Sequence, residues 1–249
     1  MEDNQTAIVF RNVYKSFAEQ PVLLGLDLEI PTGKITTILG PSGCGKSVTL
    51  KHMIGIERAD SGLVQVAGND MSTIRQKDLI NLRKRIGVLF QSSALFDSMT
   101  VKENVAFGLR MHTKMTEQEI GERVHVCLDA VRLAGSESRM PVELSGGMRK
   151  RAALARAIAM SPDFILYDEP TTGLDPNTSN VVGEYILKLQ DELTITSVVV
   201  THDLVLTRRV SDKVALLFEG KAVAQGTLED VESSENEVFQ MFVEGQLGT

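Results

Sequence analysis

The sequence predicts an α/β protein: a mainly parallel sheet carrying an antiparallel β subdomain and an α-helical subdomain. Three observations lead there. The runs Ile35–Leu39, Ile86–Phe90, Phe164–Tyr167, Ser197–Val200 and Val214–Phe218 are apolar, rich in β-branched residues and lack strict alternation, as strands buried on both faces of a parallel sheet do. Residues 6 to 30 alternate instead, most clearly at Leu26, Leu28 and Ile30, which is the pattern of half-buried antiparallel strands. Between about Thr100 and Met160 the spacing is almost entirely helical.

Taken in order, residues 6 to 30 and Gly62 to Val66 supply the antiparallel patch. Ile35–Leu39 then runs into Gly40-Pro41-Ser42-Gly43-Cys44-Gly45-Lys46-Ser47, followed by helical spacing at Val48, Leu50, Met53 and Ile54. This is a phosphate-binding loop in the strand-to-helix context that it requires. Glycines 40, 43 and 45 let backbone N–H groups point inward at a polyphosphate, and the helix adds the positive end of its dipole. Lys46 reaches the β- and γ-phosphates, and the Ser47 hydroxyl is placed to ligate Mg²⁺. A thiol at this helix start, beside Lys46, is expected to have a depressed pKa and to react readily with maleimide, so Cys44 should be alkylated unless nucleotide covers it.

Further on, Phe164–Tyr167 ends in Asp168-Glu169-Pro170, two carboxylates at a strand terminus. In a nucleoside triphosphatase such a pair can hold Mg²⁺ and polarise the attacking water, roles that fall to Asp168 and Glu169 respectively. Upstream, Leu144-Ser145-Gly146-Gly147-Met148 opens an alanine-rich helix to Met160, with Ser145 as its N-cap and a second anion-binding nest at its start. The basic cluster Arg149-Lys150-Arg151 on that helix reads as a solvated face.

The 249 residues suffice for one sizeable core with appended lobes, and 43% hydrophobic and 24% charged residues are ordinary for a globular chain. No apolar run is long enough to span a membrane and the N-terminus lacks signal-peptide features, which points to the cytosol. Cys44 and Cys127 are far apart, and a disulfide in the phosphate loop would obstruct a ligand, so both are expected as free thiols. The net charge of −7 is concentrated after Lys221, where there is no Lys or Arg. No basic run suggests a nucleic-acid partner. One domain over residues 6–243 is expected, with a helical lobe at about 92–160 and an acidic tail at 227–249. In the tail, Val238, Met241 and Phe242 share one face of a possible short helix, with Glu235, Glu237 and Glu244 available to face water; that face packs on the chain itself or docks on a partner.

The phosphate loop, Gln91, Leu144-Ser145-Gly146-Gly147, Asp168-Glu169, Gly173-Leu174-Asp175-Pro176 and His202 stand in the order and spacing of the ATP-binding cassette (ABC) family, which the chain resembles from residue 6 to about 226. The resemblance implies the ABC ATPase fold, with a RecA-like sheet, and ATP and Mg²⁺ as ligands. It gives Gln91 to Mg²⁺ or its water, His202 to the γ-phosphate, and Asp175 to a loop crossing between subunits, although Asp-Pro is also a good helix start. It gives the adenine-stacking aromatic to Phe17, with Tyr14 as competitor. Met148 and Val48 stand where many members carry Gln and Thr; neither change removes a phosphate-contacting N–H or a named Mg²⁺ ligand. One phosphate loop and one signature per chain imply a head-to-tail pair of copies with two ATP at the interface.

Narrower segments, Val88-Leu89-Phe90-Gln91-Ser92-Ser93-Ala94-Leu95-Phe96-Asp97, Met140–Met148 and Arg151–Ile158, resemble the ATPase subunit of the MCE-type (Mla, lipid-asymmetry) phospholipid transporters. That implies an integral membrane permease as partner, an accessory cytosolic protein and a lipid-binding MCE protein as further ones, and a place on the inner face of the inner membrane. The permease should dock between sheet and helical lobe near Gln91 to Val105, with Leu95 and Phe96 as candidate contacts. The rival readings are the ATPase of a small polar solute importer, a soluble ABC ATPase acting on DNA or the ribosome, and a regulatory subunit that does not hydrolyse; intact Glu169 and His202 disfavour the last.

Overall fold

The structure, a computed structural model, describes residues 6–234 and 236–245. The chain opens on a long hairpin, β1 (Thr6–Phe17) and β2 (Gln20–Pro31), then crosses to β3 (Ile35–Leu39) and α1 (Lys46–Met53). Strands β4 (Ser61–Val66) and β5 (Asn69–Asp70) return to the hairpin, giving an antiparallel sheet in the order β2-β1-β4-β5. After α2 (Gln76–Arg83) and β6 (Ile86–Leu89) come the helices of the lobe: α3 (Val101–His112), α4 (Glu117–Ala130) and α5 (Gly146–Ile158). The rest alternates as β7 (Phe164–Asp168), α6 (Pro176–Leu193), β8 (Thr196–Thr201), α7 (Leu204–Val210) and β9 (Lys213–Phe218). It closes with β10 (Lys221–Gly226), α8 (Leu228–Ser233) and α9 (Glu237–Val243).

The second sheet runs β10-β9-β3-β8-β7-β6, parallel throughout except at the β9–β10 edge. Every residue of β3 and β8 is buried, which is why their sequences do not alternate. The chain leaves β3 for α1 at the carboxyl end of the strands, where open α/β sheets hold their ligands.

Two strands carry little sequence signal. β5 is two residues long, and β10, Lys221-Ala-Val-Ala-Gln-Gly, has small side chains and no apolar run. Its signal lies in the turn before it: Glu219 and Gly220 both have positive φ, 45° and 72°, between paired Phe218 and Lys221. That is a two-residue hairpin loop of the kind that matches the twist of the flanking strands. Glycine is required at 220 for a second reason, since a Cβ there would lie 2.4 Å from the Val22 carbonyl oxygen.

Apolar packing fixes how the lobe meets the sheet. Val101, Val105 and Leu109 of α3, Ile120, Val124 and Leu128 of α4, and Ala152, Ala153 and Ala155 of α5 share one core with Leu89, Ile165 and Tyr167. The small residues bring α5 close: a Cβ on Gly87 in β6 would sit 2.5 Å from the Ala157 carbonyl oxygen. Thr100 and Thr116 start α3 and α4 with capping boxes. The helical spacing over 100–160 is broken by turns and one short 3₁₀ segment, Pro141–Glu143, between α4 and α5.

The acidic tail packs differently from its sequence pattern. Phe239 of α9 is the buried residue, set among Leu39, Val214, Leu216 and Val231, with Val238 and Phe242 at the margin. Met241, expected on the same face, is 39% exposed. Positions 238, 239 and 242 form the inward stripe instead. Glu235 lies outside the described residues.

Candidate active site

The phosphate loop is seated by close backbone contact. A Cβ on Gly40 would fall 2.2 Å from the Leu217 carbonyl oxygen and 2.9 Å from Cys44 Sγ, so the loop can leave β3 beside β9 only with glycine there. Gly45, at φ 107°, turns the chain into α1. Lys46 is buried, and its Nζ donates to the carbonyls of Gly40 and Pro41, both at 2.8 Å, holding the loop closed around its own ammonium. An ammonium has three donors, so one remains for an anion. Its Nζ also lies 3.6 Å from Glu169 Oε1.

The carboxylates come from the end of β7. Ser47 Oγ donates to Asp168 Oδ1 at 3.1 Å, joining the first turn of α1 to that strand end. Burial raises the Asp168 carboxyl above its usual range, and the Ser47 hydroxyl opposes this in part. Glu169 takes φ 47°, a left-handed conformation that a non-glycine residue adopts at a cost of about 1–3 kcal/mol. Its N–H still reaches the Val200 carbonyl at 2.8 Å, so the side chain turns off the sheet while the backbone stays in it. Glu169 Oε2 accepts from Thr172 Oγ1 at 3.1 Å and pairs with His202 Nδ1 at 2.9 Å, which needs the Nδ1–H form of the ring against an ionised carboxylate.

One cleft is lined by Ser42, Gly43, Gly45, Lys46, Ser47, Val48, Gln91, Glu169 and His202, together with Val22 and Thr172. Gly40, Pro41 and Cys44 lie behind it, and Asp168 touches it through Ser47. Val22 and Thr172 had no motif to mark them; they arrive by folding, from β2 and from the turn after Glu169.

The other expected residues lie elsewhere. Ser145 caps α5, accepting from the Met148 N–H at 3.3 Å, and Asp175 caps α6, accepting from Asn177 and Thr178 N–H at 3.0 and 3.1 Å. These two helix starts adjoin: a Cβ on Gly147 would meet Thr178 Cγ2 at 2.6 Å, and one on Gly146 would meet Leu174 Cδ2 at 3.6 Å. Ser145, Gly146, Gly147 and Asp175 thus form a second cluster that does not line the phosphate cleft. Phe17 and Tyr14 do not line it either; both are 40% exposed, and the Lys15 ammonium sits 5.2 Å from the Phe17 ring centroid.

Two expectations are corrected here. Of Arg149-Lys150-Arg151 only Arg149 is exposed. Lys150 is 5% exposed and donates to the carbonyls of Gln91 and Glu169, while Arg151 donates to the Arg132 carbonyl at 2.8 Å. Burial lowers the Lys150 pKa, with the charges of Asp168 and Glu169 opposing. The signal was present in the spacing, since Lys150 falls on the stripe of Ala153 and Ala157.

Cys44 is likewise not an activated thiol. Its side chain packs into the core under α1, and burial, the leading cause, raises its pKa above the ordinary thiol value despite the Lys46 charge. The expected result is slow maleimide labelling of the folded protein with or without nucleotide, and fast labelling after unfolding, followed by intact mass. Rapid labelling that ATP blocks would contradict the inward packing.

A separate apolar groove lies between α2, β6 and α3. Phe96, 42% exposed, and Phe107 form its aromatic wall with ring centroids 4.9 Å apart, beside Ile80, Val88 and Phe90 and rimmed by Arg83, Lys84 and His112. Leu95, expected beside Phe96, packs inward against the core of the lobe instead.

The sequence pattern of the ABC transporter family matches residues 23–172. The chain is 40% identical over 240 residues to the probable ribonucleotide transport ATP-binding protein mkl of Mycobacterium leprae, covering 96% of this chain and 69% of that protein. It is 40% identical over 243 residues to the intermembrane phospholipid transport system ATP-binding protein MlaF of Haemophilus influenzae, covering 98% and 92%. The solved dimer of the ATP-binding cassette MJ0796 in a post-hydrolysis state, bound to ADP and Pi, superposes with a TM-score of 0.81 at 31% identity over 89% of this chain and 98% of that one. With the nucleotide cleft, the separate signature cluster and these likenesses together, the chain belongs to the ABC transporter family and is an ATP-binding, ATP-hydrolysing subunit.

Proposed function

We propose that the chain powers a phospholipid transporter of the membrane. It works as a head-to-tail pair of copies docked on an integral membrane permease, on the cytoplasmic face of the inner membrane. The observation that carries the energetic half is the single cleft in which Lys46, Ser47, Gln91, Glu169 and His202 converge while Ser145 to Gly147 stand apart. A signature that cannot serve its own phosphate loop is free to serve that of an opposing copy. No helix among the described residues is long and apolar enough to cross a membrane, which suits a subunit that passes work to one that does.

In the cleft, Lys46 and the loop N–H groups bind and orient the polyphosphate, and Glu169 accepts a proton from the attacking water. His202 Nδ1–H fixes the Glu169 carboxylate, leaving its other face toward the cleft. The paired oxygens of Ser47 and Asp168, with Gln91 on the same cleft, form an all-oxygen donor set that fits Mg²⁺, an ion that keeps most of its ligands as water and phosphate. Among the described residues no denser group of His, Cys, Asp or Glu competes for a metal. When bound, Mg²⁺ would neutralise charge developing between the β- and γ-phosphates. The family resemblance gives the adenine to Phe17, with Tyr14 as competitor, although neither lines the cleft.

The phospholipid cargo is supported by the end-to-end match to the MlaF relative. The equal identity to a protein named for ribonucleotide transport keeps a polar-solute importer as the competing reading. Loss of the subunit in a Gram-negative host is expected to make the outer membrane permeable to detergent and chelator without creating an auxotrophy. An intact barrier with a requirement for one solute would promote the importer. The permease is assigned to the groove at Phe96. Phe96→Asp is expected to leave ATP binding unchanged and to weaken co-purification of the permease by about 2 kcal/mol or more, because an unpaired charge would be buried in an apolar contact. Unchanged co-purification would move the docking site elsewhere.

A further inference from the structure

The segment between Gln91 and Met99 leaves β6 and crosses from the phosphate cleft to the apolar groove. Five of its nine backbone carbonyls, those of Gln91, Ser93, Ala94, Phe96 and Met99, accept from side chains of the helical lobe. Lys150 of α5 donates to the Gln91 carbonyl and, at 3.4 Å, to that of Glu169. Two turns along the same helix, Arg156 donates Nη2 to the Ser93 carbonyl at 3.0 Å and Nη1 to that of Ala94 at 2.7 Å. Asn104 of α3, fully buried, holds the far end: its Oδ1 accepts from Phe96 N–H at 2.8 Å and its Nδ2 donates to the Phe96 and Met99 carbonyls, both at 3.1 Å.

The segment needs this support. Ser93 and Ala94 are consecutive non-glycine residues at φ 65° and 46°, a region that L-residues avoid and that persists only when the surroundings over-determine it. The Arg156 guanidinium that secures them also lies 6.0 Å from the centroid of the Phe96 ring on the groove wall. One helix therefore begins at Ser145-Gly146-Gly147, reaches the cleft through Lys150 and reaches the groove through Arg156.

We propose that Lys150 and Arg156 are positioning residues that clamp segment 91–96 to the signature helix. Gln91 at the cleft, Phe96 at the groove and the signature then move as one body. Lys150 fixes the cleft end, and its bond to the Glu169 carbonyl ties that body to the proposed general base. Arg156 fixes the groove end. That the groove receives a membrane partner rests on the proposed function; the clamp itself does not.

Lys150→Met and Arg156→Met keep the side-chain stems and remove the donors. In the isolated subunit, hydrogen exchange of the peptide spanning 91–97 is expected to accelerate by roughly 10- to 100-fold in either variant, as loss of charge-assisted bonds opens the segment, with exchange in β3 and α1 unchanged. Lys150→Met should lower kcat by about tenfold with the KM for ATP within about twofold, because the phosphate loop is untouched. Arg156→Met should keep the basal rate within about twofold, and in the purified transporter complex it should lose the stimulation of ATPase that transport substrate produces. Arg156→Lys, which restores one donor, should recover part of the protection. If Lys150→Met does not fold, the Arg156 pair decides alone. Unchanged exchange at 91–97 in Arg156→Met would overturn the clamp. Faster exchange with coupling intact would overturn its role in transmission while leaving the phospholipid reading untouched.

Discussion

Replacing Glu169 by Gln is expected to lower steady-state ATP turnover by roughly 10²–10⁴-fold, the range for loss of a general base, while ATP binding persists. The structure gives the reason for the separation of effects. The amide can still accept from Thr172 Oγ1 and from the His202 Nδ1–H, so the side chain keeps its place and the left-handed turn at 169 is undisturbed. The lost feature is the charge, 3.6 Å from the Lys46 ammonium and facing the cleft. The phosphate contacts proposed for Lys46 and Ser47 do not depend on it. With hydrolysis slowed, the nucleotide-bound pair of subunits should accumulate and elute as a dimer from size exclusion in Mg-ATP, while the unsubstituted protein does not. Turnover close to the original rate would remove Glu169 from its assigned role.

Gly40→Ala is the second large effect, and it falls on stability as well as binding. The added methyl meets a backbone carbonyl at 2.2 Å, and neither β3 nor β9, neighbours in the sheet core, can retreat without breaking their ladder. Overpacking of this kind costs about 1–3 kcal/mol and more where backbone is the obstacle. In a domain of this size that corresponds to a fall in melting temperature of roughly 2–12 °C. Because Lys46 Nζ is anchored on the Gly40 and Pro41 carbonyls, the same displacement should weaken ATP binding. Gly33→Ala is the control. Unlike Gly40, that glycine has positive φ, 68°, and nothing lies within 4 Å of its added Cβ, so it should lose only the conformational term, about 1 kcal/mol, and bind ATP normally. Equal effects at both positions would refute the steric argument.

The two glycines mark what a sequence can and cannot state. The phosphate loop is legible because its chemistry is local: eight consecutive residues carry the turn, the ammonium and the hydroxyl, and the strand before them has the bounds its apolar run implies, Ile35–Leu39. The buried parallel strands are legible for the same reason, as continuous β-branched runs. Lys150 was misread because a lysine's burial is decided by what faces it, two carbonyls from segments distant in sequence. Cys44 was misread because the loop fixes its backbone while packing under α1 decides where the sulfur goes. β10 went unseen because its evidence is a positive φ at Glu219, which no residue type announces. In α9, five of seven residues are apolar, so periodicity alone could not choose between Phe239 and Met241.

The seat of α9 also bears on how the protein should be handled. Phe239 rests in the same small cluster as Leu39, the residue that hands the chain to Gly40. The last helix is therefore a floor beneath the strand that feeds the phosphate loop. An affinity tag, a fluorescent fusion or an immobilising linker placed directly after α9 would load that floor. ATPase rates from C-terminally tethered material thus report the condition of α9 along with the chemistry, and a matched preparation carrying its tag at the other end is the proper reference.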